Sequence, residues 1–331
     1  MKCNPQKGVS RLIRLIRVCK RLFNNWLSAG LRYFVLTKLL KKKFYNLHVV
    51  CRDSSKIFVS PKVFSYIING YYDGFFTGVS CKEGKVLSEN LQITFREIEN
   101  SDLRPKDLIF AKKAGWRFDE NCNCWKKDKI KFKYMHGTIL GVFEYGEYSL
   151  IDVNGKTVVD IGAACGDSTI YFLLRGAKNV IAIEPCPDLF KELLENLRLN
   201  GVFDKVISTN VAIGSRGGAT TIECPSGRTT VDVLRLEDIV KDFNINGGVL
   251  KIDCEGCEYD IILNEYDYVK SFDEVYFEYH AYITEIPIDV LLEKLSKDFV
   301  CNNVSNETFY KIFDYKYNEK QLGLVKCIKR S

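Results

Sequence analysis

The 331-residue chain has no uninterrupted apolar run approaching the eighteen or so residues that cross a bilayer. Its first twenty residues also lack an apolar segment followed by a small-residue cleavage site. Neither a spanning helix nor export is therefore expected, and a cytoplasmic location is. Proline is sparse, at 7, and glycine is at its ordinary share, at 23, which excludes collagen-like and low-complexity architectures. Histidine is rarer still, at three, so each one near a motif draws attention. The most localised absence is of acid: Lys2 to Lys43 holds twelve Lys and Arg and no Asp or Glu. The formal charge of +6 thus conceals a basic arm on a remainder of opposite sign.

What is present is ample material for a core, with 46% hydrophobic and 13% aromatic residues. Thirteen cysteines form an odd set at no framework spacing, which reads as reduced, core-filling thiols of an intracellular protein. A hyperthermophilic source would admit disulfides instead. In the arm, Leu12, Leu15, Ile16, Cys19, Leu22, Phe23 and Trp26 recur at helical spacing, with Arg11, Arg14, Arg17 and Arg21 opposite. Such a basic amphipathic helix suits peripheral contact with an anionic membrane, on its inner face for a cytoplasmic protein. It equally suits packing of the apolar face on the rest of the protein; nucleic-acid binding rests on charge alone.

Three textures follow along the chain. Residues 1–45 are the arm. Residues 46–150 contain short β-branched and aromatic runs broken by turn signals such as NGYYDGFFTG, and predict an accessory region of small strands with little helix. Residues 151–331 alternate apolar strand runs with amphipathic helices, the pattern of a mostly parallel sheet covered on both faces.

The stretch VVDIGAACGDSTIYF, residues 158–172, breaks a strand-to-helix passage with two glycines and a carboxylate. In a parallel sheet that first turn lets backbone approach a ligand, and Gly162 and Gly166 are placed to make room. The second strand, NVIAIEP, ends in Glu184, a carboxylate able to accept both hydroxyls of a ribose. The G-x-G-x-x-G spacing of a dinucleotide site is missing. Asp160 would repel pyrophosphate and suit an ammonium group, and S-adenosylmethionine carries one.

A second constellation is KIDCEGCE, residues 251–258, read as a fourth strand that ends by presenting Asp253, with Glu255 and Glu258 opening the next helix. Acids there also suit the helix dipole. His280 closes a fifth strand, VYFEYH, adjacent to the fourth in such a sheet. The cysteines of CEGC and CNC lack the flanking pattern of a zinc ribbon, and no metal ligands are assigned.

On these motifs the chain resembles the FkbM family of S-adenosylmethionine-dependent methyltransferases. Its upstream part, GWRFDENCNCWKKDKIKFKYMHG and VFEYGEYSLIDVNGK, is similar to archaeal-type members; the likeness continues through NVAIG and LKIDCEGCEYDII to EYH and covers about residues 115–285. The resemblance implies the class I methyltransferase fold, Rossmann-like, with a seven-stranded sheet whose last strand is antiparallel. It implies O-methylation of a glycan, glycolipid or related hydroxyl. It places Asp160, Gly162 and Gly166 at the methionine end of the cofactor, Glu184 at the ribose and Ala212 near adenine. Ala164 and Cys165 depart from the usual residues of that loop.

The remaining roles follow from chemistry. An alcohol must shed its proton as the methyl arrives, which needs a base or a metal. His280 is the expected base, oriented by Asp253, with Glu255 beside them; a divalent cation held by the same groups is the less favoured mechanism. Two rival functions are a nucleic-acid methyltransferase, which lacks the Pro-Pro-aromatic motif of amino-group methylation on DNA, and a membrane-docked protein that binds the cofactor without turnover.

Overall fold

A computed structural model describes residues 16–42, 45–312 and 316–330. The chain divides into two compact units, residues 1–128 with 132–137 and residues 129–131 with 138–331. The division falls near residue 137, ahead of the expected boundary at 150, because residues 138–150 pack with the second unit.

The second unit is built on seven strands: β1 (Thr157–Ile161), β2 (Asn179–Ile183), β3 (Val206–Thr209), β4 (Val249–Ile252), β5 (Glu274–His280), β6 (Phe299–Asn303) and β7 (Leu322–Lys329). Their order is β3-β2-β1-β4-β5-β7-β6. β1 to β5 run parallel, and β7 inserts antiparallel between β5 and β6. This is the class I methyltransferase topology. The central runs are buried on both faces: all four residues of β4 and all seven of β5 are inside. Such strands read as continuous apolar runs because helices cover both sides of the sheet.

Five helices carry most of that cover: α1 (Asp167–Leu174), α2 (Pro187–Leu199), α3 (Leu236–Asp242), α4 (Cys257–Asn264) and α5 (Ile288–Leu295). Ile181, Ile252, Phe277, Ile261 and Leu291 meet in one apolar core between sheet and helices. The order reverses at β1, with β2 on one side and β4 on the other, so a crevice opens at the carboxyl ends of these strands. Between β3 and α3 an unforeseen hairpin, Gly218–Cys224 paired with Gly227–Leu234, stands beside that crevice. Its signal was legible as alternating Thr-Thr-Ile-Glu and Thr-Thr-Val-Asp around Pro-Ser-Gly.

The first unit holds the expected short strands, among them the hairpin Leu47–Val50 with Lys56–Val59. It also contains the twelve-residue helix Pro61–Tyr72, which corrects the expectation of little helix. Ser60 caps it and accepts from Val63 N, Pro61 sits at its first position, and Val63, Phe64, Ile67 and Ile68 line its buried face. Gly70 lets the helix touch the ring of Phe76, where a Cβ would lie 2.1 Å from a ring carbon. The arm belongs to this unit. Of the expected membrane-facing stripe, Cys19, Leu22 and Phe23 are buried against protein, together with Val18, Trp26 is half-buried and Ile16 is exposed. Leu12, Leu15, Arg11 and Arg14 lie outside the described residues. Helix Trp26–Phe34 follows after a break at Phe23, which bridges Cys51.

The cysteine expectation is overturned. Among the described residues, five disulfides join Cys51–Cys81, Cys122–Cys124, Cys186–Cys224, Cys254–Cys257 and Cys301–Cys327, and Cys19 and Cys165 are buried thiols; Cys3 lies outside the described residues. Spacing hid the long-range pairs because the fold makes them: Cys301 and Cys327, for example, are direct partners across β6 and β7. CNC and CEGC each close on themselves.

Candidate active site

The crevice is built by three strand ends. After β1, Gly162 turns with φ +78°, and a Cβ there would lie 1.7 Å from the carbonyl oxygen of Asp253 after β4. Only glycine lets the two loops touch. Gly166 ends the turn at φ +88°, with a Cβ position 3.3 Å from Leu193 on α2; it serves helix packing.

Asp160 does not line the crevice. It is fully buried, accepts from Ser168 Oγ and Thr169 Oγ1, both at 2.7 Å, and pairs with Lys251 Nζ at 3.1 Å. Lys251 in turn donates to the carbonyl of Gly162 at 2.8 Å. The charge of Asp160 holds β1, β4 and the start of α1 together, because a buried carboxylate must be partnered. Polarity alone did not reveal which face of the strand end it would take.

Glu184 is also buried, at 5% exposure, yet lies at the mouth of β2. Its carboxylate accepts from Ala164 N and Cys186 N, both at 2.8 Å, and so fixes the loops after β1 and β2. Burial pushes its pKa up to about 7, against the pull of those two N–H donors. Each oxygen keeps a second acceptor direction. Beside it a cavity of about 580 Å³ is walled by Gly162, Ile183, Pro185, Ala212, Ile213 and Cys254, among others. Cys186–Cys224 ties the hairpin tip to the loop after β2.

At the ends of β4 and β5 the second constellation assembles. His280 is 1% exposed. Its Nδ1 lies 3.2 Å from Glu258 Oε1, which also accepts the His280 backbone N–H at 2.8 Å, while Glu258 Oε2 accepts from Gly256 N at 2.9 Å. Glu258 thus acts on the imidazole as well as on the start of α4. Nε2 faces Glu278 Oε1 at 3.4 Å, Glu255 Oε2 at 3.7 Å and Asp253 Oδ1 at 4.0 Å. The expected trio of Asp253, Glu255 and His280 is brought together.

Three further residues were not singled out from sequence. Glu278 shares the strand with His280 two residues away, so alternation directs both to one face. Glu147 and Tyr148 come from the segment before β1. Tyr276 OH donates to the Glu147 carbonyl at 2.7 Å, and Tyr148 OH donates to Asp253 Oδ2 at 3.1 Å. Their only sequence signal was EYGEY, which no local pattern connects to a strand more than a hundred residues away.

Burial and the surrounding carboxylates act on His280 in opposite directions. Burial disfavours its charge, but the carboxylates of Glu258, Glu278 and Asp253 around the ring outweigh it and raise it to about 11. Burial, then the charge of Asp253, raises Glu278 to about 7, and burial raises Glu147 well above the carboxylate range.

Residues 160–311 match the model of the methyltransferase FkbM domain. The match lies within the second unit, which is similar to FkbM methyltransferase domains over those residues. That family uses S-adenosylmethionine. Two viral relatives of unassigned role match in part: uncharacterized protein 65 of Sulfolobus islandicus filamentous virus (isolate Iceland/Hveragerdi) is 31% identical over 123 residues, 36% of this chain and 60% of that protein. Uncharacterized protein 158B of Sulfolobus islandicus rod-shaped virus 1 is 28% identical over 134 residues, 39% and 65% respectively. The chain therefore spans less than two thirds of the length of these curated relatives. Protein N-terminal and lysine N-methyltransferase efm7 of Aspergillus fumigatus is 28% identical over 105 residues, 30% of this chain and 40% of that one. The crystal structure of methyltransferase FkbM from Methylobacillus flagellatus KT superposes with a TM-score of 0.41 at 17% identity, covering 55% of this chain and 46% of that one.

This domain fits the cofactor: the cavity is of nucleoside size, its walls are mostly aliphatic, and the buried carboxylate of Glu184, with unused acceptor directions, lies in the chain between the lining residues Ile183 and Pro185.

Proposed function

We propose that this S-adenosylmethionine-dependent methyltransferase acts on a hydroxyl of a glycan, glycolipid or related metabolite. Glu184 accepts the ribose hydroxyls, Ile183, Pro185 and Ala212 flank the adenine, and the Gly162 turn faces the methionine portion. The cofactor supplies a methyl group already activated by a sulfonium. In the transfer the C–S bond breaks as a C–O bond forms, its electron pair stays on sulfur, and the hydroxyl proton leaves for the acidic cluster.

The observation that carries the reading is the contact between the two loops: Gly162 abuts Asp253, and the Asp253–Glu255–Glu278–His280 cluster opens from that point. An acceptor aligned there gains most of its rate from orientation. Asp253, whose side chain is 27% exposed, is the member open to the crevice and buttressed by Tyr148, and Glu255 borders it. His280 and Glu258 hold the carboxylates in place. Nucleic acid gains support from the basic arm alone. The four carboxylates favour a second reading, an amine acceptor drawn in as its ammonium form.

The test uses S-adenosylmethionine with a deuterated methyl group and the full chain, incubated with separated glycan, lipid and protein fractions. A labelled methyl ether in a glycan or lipid, lost in Asp253→Asn, is expected. Label found only as methylated amine in protein overturns the hydroxyl assignment.

A further inference from the structure

We propose that Asp253, Glu278 and His280 form a divalent-cation site, with Glu255 as a flanking fourth ligand. The proposal rests on the methyl-transfer reading for its role and on geometry for its existence.

One ligand atom from each of Asp253, Glu278 and His280 falls within 4.8 Å of the others. Acidic groups alone would make this unremarkable; the imidazole does not. His280 is almost wholly buried, its Nδ1 is committed to Glu258, and its Nε2 points into a gap where no facing carboxylate oxygen is closer than 3.4 Å. These separations are long for hydrogen bonds and suited to a shared ion. Two donors each about 2.1 Å from one octahedral ion stand about 3.0 Å apart when adjacent and about 4.2 Å apart when opposite. Glu258 completes the arrangement, since a ligating histidine characteristically gives its other N–H to a carboxylate that fixes the ring. The surroundings are one-sided. Glu147, Glu255 and Glu258 add acid, Tyr148 and Tyr282 add only hydroxyls to Asp253 and Glu255, and Lys251 is held by Asp160 and the Gly162 carbonyl.

Mixed carboxylate and imidazole donors select a cation of the magnesium, manganese or cobalt type over a thiolate-seeking one. At this position it would bind the acceptor oxygen, make its proton easier to release, and bring that oxygen to the methyl carbon. The cation is neither consumed nor oxidised. The sulfur keeps the electron pair of the broken bond, and the proton passes to a carboxylate of the cluster.

Mn²⁺ is the probe. The full chain, stripped of metal and free of cofactor, is titrated with Mn²⁺ and read by electron paramagnetic resonance, while S-adenosylhomocysteine binding is measured by calorimetry on the same preparation. One bound Mn²⁺ per chain is expected, weakened at least tenfold in Asp253→Asn and in Glu278→Gln and unchanged in the surface variant Asp152→Asn. Asp253→Asn, at a half-open loop position, keeps the test valid if Glu278→Gln melts early. No stoichiometric Mn²⁺, or binding indifferent to both changes, overturns the site. If S-adenosylhomocysteine binds and Mn²⁺ does not, the cation site fails and the methyltransferase reading stands. Mn²⁺ without S-adenosylhomocysteine supports the site and sinks that reading.

Discussion

Asp160 and Glu184 end neighbouring strands and were both expected at the cofactor, yet the fold gives them different work. Asp160 is an internal counter-ion for Lys251, so Asp160→Asn should destabilise the protein by about 3–5 kcal/mol by leaving a buried lysine unpaired. Chemical denaturation checks this; an unchanged midpoint with a selective loss of S-adenosylhomocysteine affinity would return Asp160 to the cofactor. Glu184 is instead poised by burial. Its folded pKa of about 7 lies above its ordinary value, so its contribution to stability is present below about 4.5 and lost as pH rises through about 7. Cofactor binding runs the other way, since ribose hydroxyls donate to the ionised form. Affinity for S-adenosylhomocysteine should therefore rise with pH and level off above about 7, and Glu184→Gln should flatten the profile. Glu184 was legible because a strand end in a parallel sheet is a functional position. The buried fate of Asp160 was not, since it depends on Lys251, ninety residues away and innocuous in a strand pattern.

Among the elements, the arm departs most from its appearance. Val18, Cys19, Leu22 and Phe23 form one buried apolar face while Ile16 of the expected stripe is exposed, and a periodicity cannot say what covers a face. Here the first unit does. Phe23→Ala should then cost about 3–5 kcal/mol in stability, as truncation of a buried aromatic does, with no effect specific to liposomes. Thermal melting and vesicle co-sedimentation on that variant check it; unchanged melting with lost co-sedimentation would restore the membrane reading. The hairpin beside the crevice makes a second case. Cys186–Cys224 closes a loop of 38 residues, a constraint of about 3–4 kcal/mol against the unfolded chain. Cys224→Ser should lower the denaturation midpoint and weaken cofactor binding by freeing the hairpin, while hydrogen exchange rises in residues 218–234. Exchange unchanged there would mean the strand pairing alone holds it.

At the scale of the molecule, the alternation of buried runs such as VIAI and VLKI with helices carried enough information for the parallel sheet, and Glu-Tyr-His at β5 located its far side. The first unit was less legible, because three- and four-residue strands have no periodicity to speak of, and because Ser60-Pro61 opened a helix inside a stretch rich in aromatic turn signals. The three long-range disulfides were hidden because their partners, 26 to 38 residues apart, meet only through the fold. No described helix is long and apolar enough to cross a membrane. The candidate site was half visible: the motif residues Asp253, Glu255 and His280 stood out, while Glu147 and Tyr148 reach it only through the fold.

The central claim, that this crevice is an S-adenosylmethionine site whose ribose anchor is Glu184, is tested most directly by calorimetric titration of the full chain with S-adenosylhomocysteine. The account predicts one site per chain, and a loss of about 1.5–3 kcal/mol in Glu184→Ala, the range for a hydrogen bond to a charged group, with the melting transition retained. Absence of binding in the wild-type chain, or identical affinity in Glu184→Ala, would contradict it.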